Sequence, residues 1–306
     1  MLNRFAQHSA CSLPALLIAL NVVAPAEAIS MRHDVAEQNY LDLAAPYDAV
    51  GRISGGGTFA SGTLVSDTKF LTAAHFIDGD KDGFADAGLN YTIKFGTDAN
   101  SPTYTLSSIN FSSIAIHPDW SSSGGSSTYD MAVLTLSSAF TNIAPILLSD
   151  QDIAVGTTAT MVGYGVHGTG TNFTDDFDRL RRAATNTIDV VGSTIRTDFD
   201  SPALNTNYYT SGSATPLALE GTTAGGDSGG PLLVDFGDGD RLVGTLRGGF
   251  NTFGGLSEYG DVSIWTPVNT ESNIAFLQSQ GIAVPEPGSL AVLLGGVAML
   301  IRRRRG

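Results

Sequence analysis

The sequence predicts an all-β protein with a single late helix. Two observations point there. Of 306 residues, 36 are glycine and only 15% are charged, and Ser and Thr are abundant between the glycines. Short apolar runs then recur along the chain with turn residues separating them. These runs are Ala49–Ile53, Gly62–Val65, Tyr91–Phe95, Met131–Leu136, Thr158–Tyr164, Thr187–Val191, Pro231–Val234, Arg241–Leu246 and Val262–Trp265. Strands this short and this evenly spaced form a β-sandwich or a pair of barrels. Residues 29–45 read as a polar lead, and Ser121–Ser127 ("SSSGGSS") as a flexible loop. The stretch Leu136–Pro145 connects two halves. Near the end, Thr270 and Ser272 offer caps, Ile274, Phe276 and Leu277 supply an apolar face, and Gly281 stops the helix. There is no internal repeat.

The formal charge is −14. Arg4, Arg302–Arg305, Glu27 and Glu286 lie outside residues 29–284, which leaves 11 basic against 28 acidic residues in the body, a charge of −17. So acidic a body repels nucleic acid and anionic membrane, and suits an exported soluble protein or one that binds cations. The N-terminus agrees with export. Arg4 is followed by the apolar run Leu13–Val23 and the small-residue site Ala26-Glu27-Ala28, the layout of a signal peptide over residues 1–28. Signal peptidase would then release Ile29 as the first mature residue. The sole cysteine, Cys11, falls in that segment, so the mature chain has no disulfide.

Three stretches carry chemistry. "LTAAH" ends at His75, "YDMAVLTL" contains Asp130, and "GGDSGGP" surrounds Ser228. A serine hydroxyl is a weak nucleophile at neutral pH and needs an imidazole to accept its proton. The imidazole needs a carboxylate behind it to hold its tautomer and steady the imidazolium. The oxyanion that develops needs backbone N–H donors, which glycine beside the serine lets the chain aim. Gly226 and Ser228 stand where such donors would be.

In the order His, Asp, Ser, these motifs resemble the trypsin/chymotrypsin family of serine peptidases. The resemblance spans residues 46–281 and implies two six-stranded antiparallel β-barrels with a C-terminal helix. It implies a cleft between the barrels that hydrolyses peptide bonds through an acyl-enzyme. His75 would be the general base, Asp130 its orienting partner and Ser228 the nucleophile. The N–H groups of Gly226 and Ser228 would form the oxyanion hole, and no cofactor is required for the chemistry. The rival class is a non-enzymatic surface- or matrix-binding protein on the same fold.

The resemblance also locates the substrate pocket. Its base falls six residues before the nucleophile, at Thr222 with Thr223 beside it. Leu246, Arg247, Gly248 and Gly249 lie along a wall. Without an aspartate at its base the pocket does not select Arg or Lys. A neutral pocket for apolar or small side chains is expected, while Arg247 leaves a carboxylate as a second option. Asp227 corresponds to the family residue that pairs with a freed apolar N-terminus, a part that Ile29 would play after signal cleavage.

"DGDKDGFAD" follows His75 closely and sets Asp78, Asp80 and Asp82 at alternate positions, then Gly83 and Asp86. That is calcium-loop spacing, although Leu89 stands where the bidentate glutamate of such loops belongs. A structural calcium and a solvated acidic turn both fit. The chain ends "VPEPGSLAVLLGGVAMLIRRRRG", residues 284–306, with 12 residues from Leu290 to Ile301 before Arg302–Arg305. Pro-Glu-Pro, an apolar run and terminal arginines resemble the PEP-CTERM sorting signal of Gram-negative bacteria, which an exosortase processes. The resemblance implies transient retention in the inner membrane by this tail, then delivery to the cell surface, the medium or the matrix.

Overall fold

Strand pairing in the first half begins at a glycine turn. The computed structural model describes residues 29–284 apart from 87–89, 108–110, 127, 204–205 and 253–256, so the expected signal peptide and sorting tail lie outside the described residues. After β1 (Ser30–Met31) and α1 (Glu37–Ala44), β2 (Val50–Gly55) turns through Gly56 and Gly57, both at positive φ, into β3 (Thr58–Ser66). Two successive positive-φ residues match the twist of a tight hairpin, and glycine adopts them without strain. The half continues through β4 (Lys69–Thr72), α2 (Ala74–Ile77), β5 (Thr92–Phe95), β6 (Tyr104–Ser107), β7 (Phe111–Ile116), α3 (Pro118–Ser122) and β8 (Ala132–Leu136).

The second half holds β9 (Thr158–Gly163), β10 (His167–Thr169), β11 (Asn172–Asp176), β12 (Arg182–Thr187), β13 (Ile195–Asp198) and β14 (Gly221–Thr222). It closes with β15 (Pro231–Asp235), β16 (Asp240–Phe250), β17 (Val262–Pro267) and α4 (Glu271–Ser279). Two curled antiparallel sheets result, ordered β6-β5-β2-β3-β4-β8-β7 and β12-β9-β15-β16-β17-β13. The second has the expected six strands and the first has seven, because β6 and β7 each extend an edge. A third sheet, β11-β10-β1-β14, is mixed, with β1 parallel to β10 and antiparallel to β14.

Each curled sheet encloses its own core. Ile53, Leu64, Phe70, Ile93, Phe95 and Leu134 fill the first, and Met161, Leu232, Val243 and Trp265 the second. A third cluster lies where the halves meet and joins Val50, Leu71 and Val133 to Val162, Leu233 and Leu242. Each such side chain contributes about 1.5–3 kcal/mol by leaving water, so the cleft is set between two stiff bodies. Phe276 and Leu277 anchor α4 on this middle cluster, and Thr270 caps it by accepting a 3.4 Å bond from Asn273 N–H.

Several local expectations change: besides the late helix there are the short helices α1, α2 and α3, and α3 takes in Ser121 and Ser122 of the expected loop. The polar lead contains α1, whose Tyr40 is fully buried and donates its hydroxyl to Glu220 O at 2.9 Å. The strand expected at Thr187–Val191 lies earlier, over Arg182–Thr187, with only a bridge from Val190 to Arg196. Its polar Asn186 is buried because its amide donates to Asp198 O and Gly221 O, both at 2.8 Å.

Candidate active site

β4 delivers the chain into α2, and His75 occupies the second position of that single turn. Asp130 stands two residues before β8, which is next to β4 in the sheet, and is fully buried. Its Oδ1 accepts His75 N–H at 2.9 Å and its Oδ2 lies 2.8 Å from His75 Nδ1. The opposite ring nitrogen, His75 Nε2, lies 2.8 Å from Ser228 Oγ. Ser228 comes from the other half, on the loop between β14 and β15. The cleft therefore brings together residues 153 positions apart in a continuous relay.

The serine loop is shaped by close approach. Gly226 has φ +88°, and a Cβ there would stand 2.2 Å from the Phe59 ring. Gly229 has φ +79°, and a Cβ there would meet Thr72 Oγ1 at 2.3 Å. Both positions therefore require glycine. Ser61 ties the loop to β3: its N–H donates to Ser228 O at 2.8 Å and its hydroxyl to Gly226 O at 3.0 Å. Among the described residues, the N–H groups of Gly226 and Ser228 donate to no protein acceptor. Sequence reading passed over Ser61 and Phe59, since nothing local marks a strand residue that will face a loop 165 positions later.

Asp227 is buried beneath that loop. Its Oδ2 accepts Ala224 N–H at 3.1 Å and its Oδ1 accepts Gly165 N–H at 3.2 Å. Burial pushes its carboxyl up to about 7, while those two bonds and the charge of Arg182 pull the other way. Ile29 immediately precedes β1. Its side chain enters the core of the second half, and the following Ser30 pairs with Thr222. Among the described residues no hydrogen bond or ion pair joins Ile29 to Asp227.

The expected pocket residues sit on β14, at Thr223 just after it, and on β16. Thr222 Oγ1 and Thr223 Oγ1 lie 2.9 and 2.7 Å from Ser263 Oγ, a neutral hydroxyl trio. Leu246 is buried, and Gly249 has no room for a side chain, since a Cβ would meet Val262 O at 2.2 Å. Arg247 points the other way: its Nε lies 3.1 Å from Asp130 Oδ2. Asp78, Asp80 and Asp86 bring carboxylate oxygens within 4.8 Å of one another. Asp82 stands apart from that group, and its carboxylate accepts Phe84 N–H at 2.8 Å.

The comparisons with known proteins agree with this architecture. The family model described as Trypsin matches residues 35–272. Among solved structures, a Glu endopeptidase in complex with MPD superposes with a TM-score of 0.56 at 16% identity, covering 83% of this chain and 96% of the other. Neuropsin, a serine protease expressed in the limbic system of mouse brain, gives 0.55 at 17% identity, covering 78% and 96%. At such identities the likeness is one of fold. No curated protein matches the sequence. The family match covers most of the chain and includes every stretch that builds the cleft, so this protein belongs to the trypsin family and is a serine endopeptidase by fold and family.

Proposed function

We propose that the chain is an exported endopeptidase that cleaves protein or peptide substrates through His75, Asp130 and Ser228. Ser228 Oγ attacks the scissile carbonyl carbon as His75 Nε2 takes its proton, and Asp130 Oδ2 holds the Nδ1–H of the imidazolium. The carbonyl oxygen becomes an oxyanion facing the N–H groups of Gly226 and Ser228. His75 then protonates the leaving amine as the C–N bond breaks, and water hydrolyses the acyl-enzyme by the same route. The observation that carries this reading is the pair of 2.8 Å contacts on the two ring nitrogens of His75. No cofactor enters the chemistry. The test is hydrolysis of a quenched peptide library by purified wild type and Ser228→Ala. Cleavage by the first and none by the second supports the reading, and equal cleavage by both refutes it.

The residue before the scissile bond is read as apolar or small. The hydroxyls of Thr222, Thr223 and Ser263 offer no charge to pair with Arg, Lys or Glu, and Arg247 is engaged with Asp130. Maturation is read as signal-peptidase cleavage before Ile29. Because Ser30 pairs with Thr222, the freed ammonium would emerge beside the strand that leads to Asp227, consistent with a role in ordering the serine loop. Calcium is assigned to Asp78, Asp80 and Asp86, two of them exposed or half-buried. The tail is read as the exosortase-processed address, giving transient retention in the membrane and release to the surface, medium or matrix. Among the described residues no helix is long and apolar enough to cross a membrane.

A further inference from the structure

Against the −17 charge of the body, three cations gather in one place. Arg52 on β2, Lys94 on β5 and Arg179 after β11 line a cavity of about 550 Å³ beside the Gly55–Gly57 turn. Among the described residues no carboxylate forms an ion pair with any of the three. Lys94 Nζ donates to Ala99 O at 3.0 Å and Arg179 Nη1 to Asn100 Oδ1 at 2.7 Å, which leaves each with donors to spare. Arg52 is only 9% exposed, and its Nε is buried without a hydrogen-bond partner. Burial, and then the charge of Arg179, pushes its guanidinium down to about 10. An anion in the cavity would relieve both penalties.

The cavity is fixed rigidly beside the serine loop. Arg52 Cζ lies 4.6 Å from the Phe59 ring centre, and Arg179 Cζ lies 5.0 Å from that of Phe177. The two rings stack at 4.2 Å. Arg179 is held at φ +67°, a conformation that residues with a side chain rarely adopt. The Phe59 edge in turn lies against Gly226, where a Cβ would approach it to 2.2 Å. One aromatic ring thus separates Arg52 from the serine loop. In the proposed function the residue before the scissile bond enters the pocket walled by Gly248 and Gly249, on β16 of the second half. The cavity stands on β2 and β5 of the first half and is therefore assigned to the leaving-group half.

We propose that the Arg52–Lys94–Arg179 cavity binds an acidic side chain of the peptide substrate on the leaving-group side, among the first residues beyond the scissile bond. The proposal rests on the peptidase reading above. It makes an acidic enzyme selective for acidic sequence on one side of the cut. The long-range field of the body opposes such substrates, and short-range pairing at the cavity retains them.

The test uses quenched peptides that differ only in carrying Glu, Gln or Lys at each of the four positions after the scissile bond. The expected result is one position where kcat/KM for Glu exceeds that for Lys by about tenfold or more. That ratio should fall to about twofold or less in Arg179→Gln and in Lys94→Gln, and be partly restored in Arg179→Lys. Ratios cancel any general effect of a substitution on the chemistry. A second arm measures binding of the uncleaved Glu and Lys peptides to Ser228→Ala by calorimetry, with and without Arg179→Gln. Cleavage that ignores charge at all four positions overturns the proposal. So does a preference that survives both substitutions, or binding of inorganic phosphate at the cavity with no peptide preference. Failure to cleave any peptide would count against the peptidase reading instead, and the binding arm would then decide the cavity on its own.

Discussion

Arg247 Nε lies 3.1 Å from Asp130 Oδ2, the same oxygen that meets His75 Nδ1 at 2.8 Å. The contact comes from a bulge. In the ladder of β16 with β17, Leu246 pairs with Trp265 and Gly248 with Ile264, so Arg247 is the extra residue. A bulge re-aims a side chain, and here it turns the guanidinium from the pocket to the back of the triad. The Nε has no aligned hydrogen-bond acceptor, so the contact is one of charge rather than of a directed bond.

Arg247→Ala should therefore act on alignment and stability, not on selection at the pocket. Asp130 would remain a buried carboxylate with one cation fewer. The guanidinium is one-third exposed, which scales the loss down to about 1–2 kcal/mol. The expected kinetic result is a lower kcat, with the ratio of Glu to Ala before the scissile bond unchanged. Collapse of activity on Glu peptides alone would place Arg247 in the pocket instead.

Removing a triad member should be far more costly. His75→Ala is expected to lower kcat/KM on a good peptide by about 10⁴-fold or more, while the melting temperature moves little because the ring is partly exposed. A loss under tenfold in a folded variant would contradict the role of the ring.

Stability should fall as pH rises. Burial pushes Asp200 up to about 7 and Glu220 up to about 8, beside Asp227 at about 7. Asp189 moves up as well, through burial and then the neighbouring Asp198. These groups have unfolded values near 4, so between pH ~4 and ~8 the native state binds more protons than the unfolded chain. The advantage is intact below pH ~4, and each group gives up as much as about 1.4 kcal/mol per pH unit until its folded value is passed. The melting temperature should be higher at pH 5.5 than at pH 8, and Asp189→Asn should flatten that slope. A higher melting temperature at pH 8 would show that the unpaired carboxylates are compensated.

The three motifs around His75, Asp130 and Ser228 were readable because each is a short stretch with strict local demands. Glycine is obligatory at 226 and 229, and small residues pack ahead of His75. The strands read from apolar runs stand where a buried face repeats, as in β2, β5 and β15. What the sequence hid is made by distance. Ser61 reaches Gly226 across 165 positions, and Arg52 meets Arg179 only when two hairpins fold together. α1 was missed because its apolar residues are few, and Tyr40 is buried against Glu220 only in the tertiary structure.

Calcium should raise the melting temperature by the mass-action term for a ligand of the native state. Asp80→Asn with Asp86→Asn should abolish the rise. Asp78 is a poorer choice for that test, since its oxygens also accept Asp82 N–H at 3.0 Å and Gly83 N–H at 2.9 Å. A melting temperature indifferent to millimolar calcium would leave a plain acidic turn.

Activation of the Ser228 nucleophile by His75 can be tested by covalent capture, without any knowledge of the substrate. A fluorophosphonate probe should add one adduct per chain, mapped by peptide mass spectrometry to Ser228, and His75→Ala should label far more slowly. An unlabelled, folded wild-type chain, or an adduct on any residue other than Ser228, would contradict the account.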